Sequence, residues 1–119
     1  SNGALAGIID FESAFHGPCI FDLGQTAIGA CRDEDSLDFK KVRSLVEGYQ
    51  ELRPLEGREK ELLGSAASCA AAVISIWRFD YFNLRNNFLN NERYLEAVNL
   101  SDSLGKLSSN KFMEEVFGQ

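Results

Sequence analysis

The sequence predicts a mainly helical domain that begins with one short β-strand or hairpin. Apolar residues recur at helical spacing in four long stretches and one short one after position 18. Within the first dozen residues, a short apolar run is instead typical of a strand. The 119 residues, 45% hydrophobic and 25% charged, suit one domain with a small core. We therefore divide the chain into a strand or hairpin segment, 1–12, and a helical part, 18–119.

The predicted strand covers Ala4 to Asp10, where an apolar run ends in a carboxylate. A buried strand that delivers one charged group to a cleft has this pattern. Such a carboxylate needs a metal ion, a basic side chain or backbone N–H groups as its partner. The residues before it, 1–3, read Ser-Asn-Gly and are typical of a hairpin tip. A hairpin implies an earlier strand, so we expect the chain to be cut from a larger protein. The alternative is that Ser1 and Asn2 are the remnant of a tag. A loop is predicted over 13–18.

The first helix is predicted from about Ile20 to Cys31, with Pro18 at its N-terminal edge. Gly24 and Gly29 lie inside this stretch and lower its helix propensity. A charged linker is expected over 32–36, before the next apolar pattern begins.

Asp38 is placed to cap a second helix, from about Phe39 to Leu52, and Pro54 follows that helix. The third and longest helix is expected from about Glu56 to Asn83. Its middle, Ala66 to Ile76, is small and apolar almost all round, which predicts a central helix covered on most sides.

The last third of the chain is predicted to hold a loop and two further helices. Asn83 to Asn91 is rich in asparagine and is expected to be the loop. A fourth helix is predicted from about Glu92 to Leu107. Asn110 is placed to cap a short last helix, Lys111 to Phe117, which Gly118 would end.

Charge and cysteine usage narrow the possible classes of protein. The net charge of -6 argues against a nucleic-acid partner, which would need a basic surface. The three cysteines lack CxxC spacing, so we expect reduced, mostly buried thiols in a cytoplasmic protein. The apolar stretch from Ala66 to Trp77 has about twelve residues, fewer than the roughly 20 that span a bilayer, so no membrane partner is expected.

Asp10 is the first candidate functional residue. At a strand end its carboxylate could bind Mg²⁺, which prefers oxygen ligands and bridges nucleotide phosphates. The alternative is an ordinary acidic residue at the end of a strand or in a turn.

A second candidate group lies near the end of the third helix and contains Trp77, Arg78 and Tyr81. Arg78 could pair with a substrate carboxylate, or the aromatic rings could surround a choline-type cation. The alternative is an interhelical core in which the charged end of Arg78 reaches solvent. Phe15, shortly after Asp10, is a further candidate for a pocket wall.

Two motifs resemble the aminoglycoside phosphotransferase and choline kinase superfamily, which has a protein-kinase-like fold. They are the segment 7–12, Gly-Ile-Ile-Asp-Phe-Glu, and the segment 21–23, Phe-Asp-Leu, about a dozen residues later. The run 48–55 and the helix end at 77–80, Trp-Arg-Phe-Asp, look closest to homoserine kinases of the kinase-like type. By this resemblance, residues 1–119 are the C-terminal part of a kinase-like domain, namely the helical subdomain of its large lobe.

The resemblance also implies roles for individual residues and for ATP. Asp10 would hold Mg²⁺, although Glu12 stands where the superfamily often has glycine. Asp22 would be a structural acid that accepts hydrogen bonds from the catalytic loop. The catalytic aspartate and the ATP-anchoring lobe would lie upstream of residue 1, so no catalytic residue is expected within this chain. The acceptor would be a hydroxyl of a small metabolite, homoserine-like, choline-like or aminoglycoside-like.

Two alternatives to a kinase fragment remain open at this point. The chain could be a non-catalytic helical interaction module, in which the segment around Asp10 is a docking hairpin. It could also belong to a pseudokinase that lacks the upstream aspartate. If the chain is a fragment, its uncovered apolar face favours a homodimer or pairing with the missing N-terminal part.

Overall fold

The protein is mainly helical, as predicted, in the computed structural model, which describes residues 3–12, 14–86 and 91–118. Parts of the predicted hairpin tip and of both predicted loops, at 1–2, 13 and 87–90, lie outside the described residues. The elements in chain order are α1 (Cys19–Ala30), β1 (Arg32–Asp33), β2 (Ser36–Leu37), α2 (Phe39–Gln50), α3 (Gly57–Phe79), a π-helix (Asp80–Arg85), α4 (Arg93–Lys106) and α5 (Ser109–Phe117).

The prediction of a strand from Ala4 to Asp10 is wrong. These residues form no strand, and none of the described strands pairs with them. Their side chains are exposed, and Ile9 keeps 87% of its surface in contact with solvent. A strand needs a neighbour to pair its backbone groups, and an apolar run alone does not provide one. Asp10 instead adopts a φ of 75°, in the left-handed region that aspartate tolerates better than most residues.

The region predicted as a charged linker forms a small antiparallel hairpin instead. Arg32 pairs with Leu37, and Asp33 pairs with Ser36. Leu37 is buried in the hydrophobic core and holds the hairpin against the helices. Its turn includes Glu34 with a φ of 50°, in the left-handed region.

Helix α1 packs directly on α3, and Gly24 lies at the closest approach. A Cβ atom added at Gly24 would lie 2.9 Å from the carbonyl carbon of Ala66 and 2.9 Å from the backbone nitrogen of Ala67. At Gly29 in the same helix, an added Cβ would have no atom within 4 Å. The glycine that lowers the local helix propensity therefore permits the close contact between the two helices.

The start of α2 confirms the predicted Asp38 cap, and the start of α3 has a cap that was not predicted. The Asp38 carboxylate accepts hydrogen bonds from the backbone N–H groups of Lys40 and Lys41, at 2.9 and 3.3 Å. At α3, the side chains of Glu56 and Glu59 form a reciprocal capping box. Both caps satisfy backbone donors that the first turn of a helix leaves without partners.

Helix α3 is central, as predicted. The prediction that other elements cover it on most sides is wrong. Its buried residues are mostly alanines, which contact the other helices (Ala66, Ala67, Ala70 and Ala71). Val73 and Ile76 are exposed, and Ile76 keeps 69% of its surface in contact with solvent. The side of α3 that carries Val73, Ile76 and Trp77 is therefore an open apolar face.

The helical run Gly57–Arg85 joins α3 and the π-helix, ending two residues beyond the predicted Asn83. Its 29 residues include a window with a mean hydropathy of 1.5, of which 33% is buried. By length and composition alone this run could cross a membrane, although core helices of globular proteins pass the same test.

The last two helices lie close to their predicted positions, but α5 has a different cap. Helix α5 begins at Ser109, and the hydroxyl of Ser108 accepts a hydrogen bond from the backbone N–H of Lys111 at 3.2 Å. Asn110 therefore lies inside the helix and is not its cap, because serine is an equally favoured cap residue two positions earlier. Gly118 ends the helix with a φ of 69°, as predicted.

The core lies between the five α-helices. Its most buried large side chains are Leu63, Leu100, Val42 and Val46.

All three cysteines are free. Cys31 is buried in this core, but Cys19 and Cys69 are exposed. The expectation of mostly buried thiols is therefore wrong, because the latter two residues fall on the open sides of α1 and α3.

Candidate functional site

An open cleft lies between the loop that precedes α1 and the first turns of that helix. It has a volume of about 460 Å³. Three residues that the sequence analysis singled out separately, Asp10, Phe15 and Asp22, all line it. Gln25 and Thr26 extend its wall along α1. The structure therefore brings both candidate acids and one candidate pocket wall into a single cleft.

The carboxylate of Asp10 is available to a ligand. Asp10 is exposed and makes no hydrogen bond or ion pair with the other described residues. In the part of the chain that the structure describes, no group of three or more His, Cys, Asp or Glu residues could hold a metal ion. Mg²⁺ commonly uses one or two protein carboxylates together with waters and phosphate oxygens. A single exposed carboxylate is compatible with such a site, and the role of Asp10 as a magnesium ligand stays a prediction.

Asp22 lies in the first turn of α1, on the wall of the same cleft. An acidic side chain in this position interacts favourably with the N-terminal end of the helix dipole. The backbone carbonyl of Asp22 accepts a hydrogen bond from the Thr26 hydroxyl at 2.8 Å, one helical turn on. The role of Asp22 as an acid that holds a catalytic loop stays a prediction.

The aromatic residues near the end of α3 contact each other and do not line this cleft. The rings of Trp77 and Tyr81 are stacked, with centroids 5.2 Å apart and an angle of 13° between their planes. Phe82 meets both rings edge-on. Because Trp77 is 53% exposed and Tyr81 is exposed as well, these rings do not form the interhelical core that was one alternative.

Arg78 lies in a second pocket, which we call the arginine pocket. It has a volume of about 200 Å³ and lies between α1, α3 and α4. Gln25 lines both this pocket and the cleft. The candidate substrate residues are therefore divided: Phe15 lines the cleft, Arg78 lines the arginine pocket, and Trp77 and Tyr81 form a separate stack. The pocket is lined by Gln25, Ile28, Gly29, Arg32, Ala71, Ile74, Arg78, Ala97 and Leu100.

Two arginines of the arginine pocket meet at one carboxylate. Arg32 Nη2 lies 2.8 Å from Glu96 Oε2, and Arg78 Nη1 lies 3.5 Å from the same oxygen. Arg78 Nη1 also donates a hydrogen bond to the backbone carbonyl of Arg93 at 3.0 Å. The hydrogen bond from Arg32, with the nearby charges of Arg78 and Arg93, holds the pKa of Glu96 below its usual range. Glu96 is therefore ionised near neutral pH.

No feature of the sequence marks Arg32 and Glu96 as functional candidates. Arg32 was assigned to a charged linker, and Glu96 is one of many acidic residues on a helix. The two are separated by 64 positions, and no local pattern connects them. The cluster forms only when the hairpin, α3 and α4 pack together.

The chain resembles part of two curated proteins. It is 33% identical over 84 residues to the homoserine kinase of Gluconacetobacter diazotrophicus. It is 36% identical over 84 residues to the homoserine kinase of Bartonella henselae. Each match covers 69% of this chain and 26% of the relative, so the match spans about a quarter of the length of these curated relatives.

No protein-family profile matches the chain, and no solved structure gives a significant match. The two partial similarities to homoserine kinases are consistent with the resemblance in the sequence motifs. They do not extend to the aminoglycoside phosphotransferase and choline kinase superfamily as a whole. The similarity to one part of two homoserine kinases therefore indicates a relationship between this chain and kinases.

Proposed function

We propose that this chain is part of an ATP-dependent phosphotransferase that phosphorylates a hydroxyl group of a small metabolite. The observation that carries the proposal is the similarity to two homoserine kinases. A homoserine-like acceptor is therefore the first candidate, and choline-like and aminoglycoside-like acceptors are further ones. The chain contributes a helical part of the large lobe of a kinase-like domain in a cytoplasmic enzyme.

In this proposal Asp10 is a ligand of the Mg²⁺ ion that accompanies ATP. Its exposed carboxylate, which has no partner among the described residues, supports this role. A bound magnesium ion neutralises charge on the phosphates during phosphoryl transfer. Asp22 supports the catalytic loop from the wall of the cleft, and Phe15 is a further part of that wall. The aspartate that accepts the hydroxyl proton comes from the part of the enzyme upstream of this chain.

The open apolar face of α3 favours a second function, a non-catalytic interaction module. Val73, Ile76 and Trp77 are exposed together on this helix, and exposed apolar patches commonly mark protein contacts. A pseudokinase fragment would share this face while lacking phosphoryl transfer. Binding of Mg²⁺-ATP together with turnover separates the kinase from both of these alternatives.

The test uses Asp10→Asn in the full-length protein that contains this chain. Mg²⁺-dependent phosphorylation of homoserine, choline and an aminoglycoside is measured with ATP, beside the wild type and an Asp33→Asn control. Asp33 is exposed and does not line the cleft. Turnover is expected to fall at least about 100-fold in Asp10→Asn, with far-UV circular dichroism unchanged, and to persist in the control.

Turnover that survives in Asp10→Asn would overturn the assignment of Asp10. A wild-type protein that neither binds Mg²⁺-ATP nor phosphorylates any of the three acceptors would favour the interaction module. Binding of Mg²⁺-ATP without turnover would favour the pseudokinase.

A further inference from the structure

The arginine pocket combines an apolar lining with two cationic side chains. Ile28, Ala71 and Ile74 contribute apolar surface, and Arg32 and Arg78 belong to the same lining. The guanidinium groups of both arginines lie beside Glu96 Oε2. We propose that this pocket binds a small aliphatic carboxylate, held by Arg32 and Arg78, with its hydrocarbon chain against the apolar lining. Pockets that bind small molecules commonly pair an apolar lining with a few polar groups that fix orientation.

The two guanidinium groups keep hydrogen-bond donors for such a ligand. Each arginine has five N–H donors, and the contacts with described residues use Nη2 of Arg32 and Nη1 of Arg78. Their side chains are 29% and 28% exposed, so a ligand carboxylate would meet partly desolvated charges. Charge attraction is stronger there than at a fully exposed surface. Planar guanidinium groups also match the geometry of a carboxylate better than lysine does.

The local charge favours an anion although the chain as a whole is acidic. Three arginines, at positions 32, 78 and 93, lower the pKa of Glu96, which is the one acid that pairs with Arg32 and Arg78 among the described residues. Positive charge therefore exceeds negative charge in this cluster, while the net charge of the chain is -6. The contacts with Glu96 also show that these two arginines can bind a carboxylate in the observed geometry. Glu96 contacts Nη2 of Arg32 and Nη1 of Arg78, and its negative charge competes with that of a ligand for the same two guanidinium groups.

The size of the arginine pocket limits the ligand. Its volume of about 200 Å³ is below the roughly 300–1,000 Å³ of drug-sized sites. A pocket of this size suits a small acid better than a nucleotide. Gln25 lines both this pocket and the cleft that contains Asp10, so the two sites are neighbours along α1. The binding of such an acid is independent of the proposed function. Only its role as the phosphoryl acceptor rests on that function.

The test is an NMR titration of the ¹⁵N-labelled protein with butyrate at constant ionic strength. We expect saturable shifts of the Nε–Hε signals of Arg32 and Arg78, and no such shifts with uncharged butyramide or with chloride. Arg78→Met should weaken binding about tenfold or more, since it removes a charge-assisted hydrogen bond. Arg58→Met is the matched control, because Arg58 is exposed and pairs with Glu61 outside this pocket. Butyrate affinity should be unchanged in this control.

Glu96→Gln provides a second variant with the opposite expected sign. It removes the competing internal carboxylate while keeping the size of the side chain, so butyrate should bind several-fold more tightly. If the arginines only stabilise Glu96, butyrate binding will not depend on either substitution, and this result would overturn the proposal. Equal shifts with butyramide or chloride would overturn it as well. Because butyrate has no hydroxyl group to phosphorylate, the result is independent of whether the protein is a kinase.

Discussion

The contact between α1 and α3 yields a prediction about two glycines of one helix. Replacing glycine by alanine inside a helix normally stabilises it by up to about 1 kcal/mol. At Gly24, however, the new Cβ would lie 2.9 Å from two backbone atoms of α3, which cannot rotate away. Overpacking of this kind typically costs about 1–3 kcal/mol. We therefore expect Gly24→Ala to destabilise the protein, although its local helix propensity rises.

Gly29→Ala is the matched control, because an added Cβ there meets no atom within 4 Å. The gain in helix propensity is common to both variants, so their difference isolates the overpacking of α1 against α3. The free energy of unfolding, measured by urea denaturation with far-UV circular dichroism, should be lower for Gly24→Ala by at least about 1 kcal/mol. If Gly24→Ala is as stable as Gly29→Ala, the close packing described for these helices is wrong.

Two further predictions concern a helix cap and an ion pair. Asp38→Ala removes the acceptor of two backbone N–H groups and should lower the free energy of unfolding by about 1 kcal/mol, whereas Asp38→Asn, which keeps an acceptor oxygen, should lose less in the same urea titration. Hydrogen bonds from Arg53 and the Glu56 backbone hold the pKa of Glu59 below its usual range. The stabilisation from Glu59 is therefore fully present above the unfolded-state pKa of about 4.3 and is lost as the pH falls through the lower folded-state pKa. The midpoint of urea unfolding should fall less steeply on acidification in Glu59→Gln than in the wild type, and parallel curves would contradict this role.

The helices could be predicted from the sequence because their signals are local. Asp38 caps α2 in the structure as its position predicted, and Gly118 ends α5 in the expected left-handed conformation. Both outcomes depend on hydrogen bonds or backbone angles within a few residues. The error at Asn110 has the same local origin, since Ser108 offers an equivalent oxygen two residues earlier.

The remaining features depend on partners that are distant in the sequence. The apolar run at Ile8 and Ile9 resembled a buried strand, but burial requires a neighbouring strand, which a sequence pattern does not supply. The cleft could be foreseen in part, because Asp10 and Asp22 belong to two recognisable motifs. The cluster of Arg32, Arg78 and Glu96 could not, because it forms only when the hairpin, α3 and α4 pack together.

The open apolar face of α3 has a practical consequence for spectroscopy. Trp77 is the only tryptophan of the chain, and it lies on that face, half exposed and stacked on Tyr81. Its fluorescence therefore reports the end of α3 and not the core around Leu63. A molecule that covers α3 should shift the emission to shorter wavelength by removing water from the indole. Trp77 is therefore an intrinsic fluorescent reporter of contacts on this face.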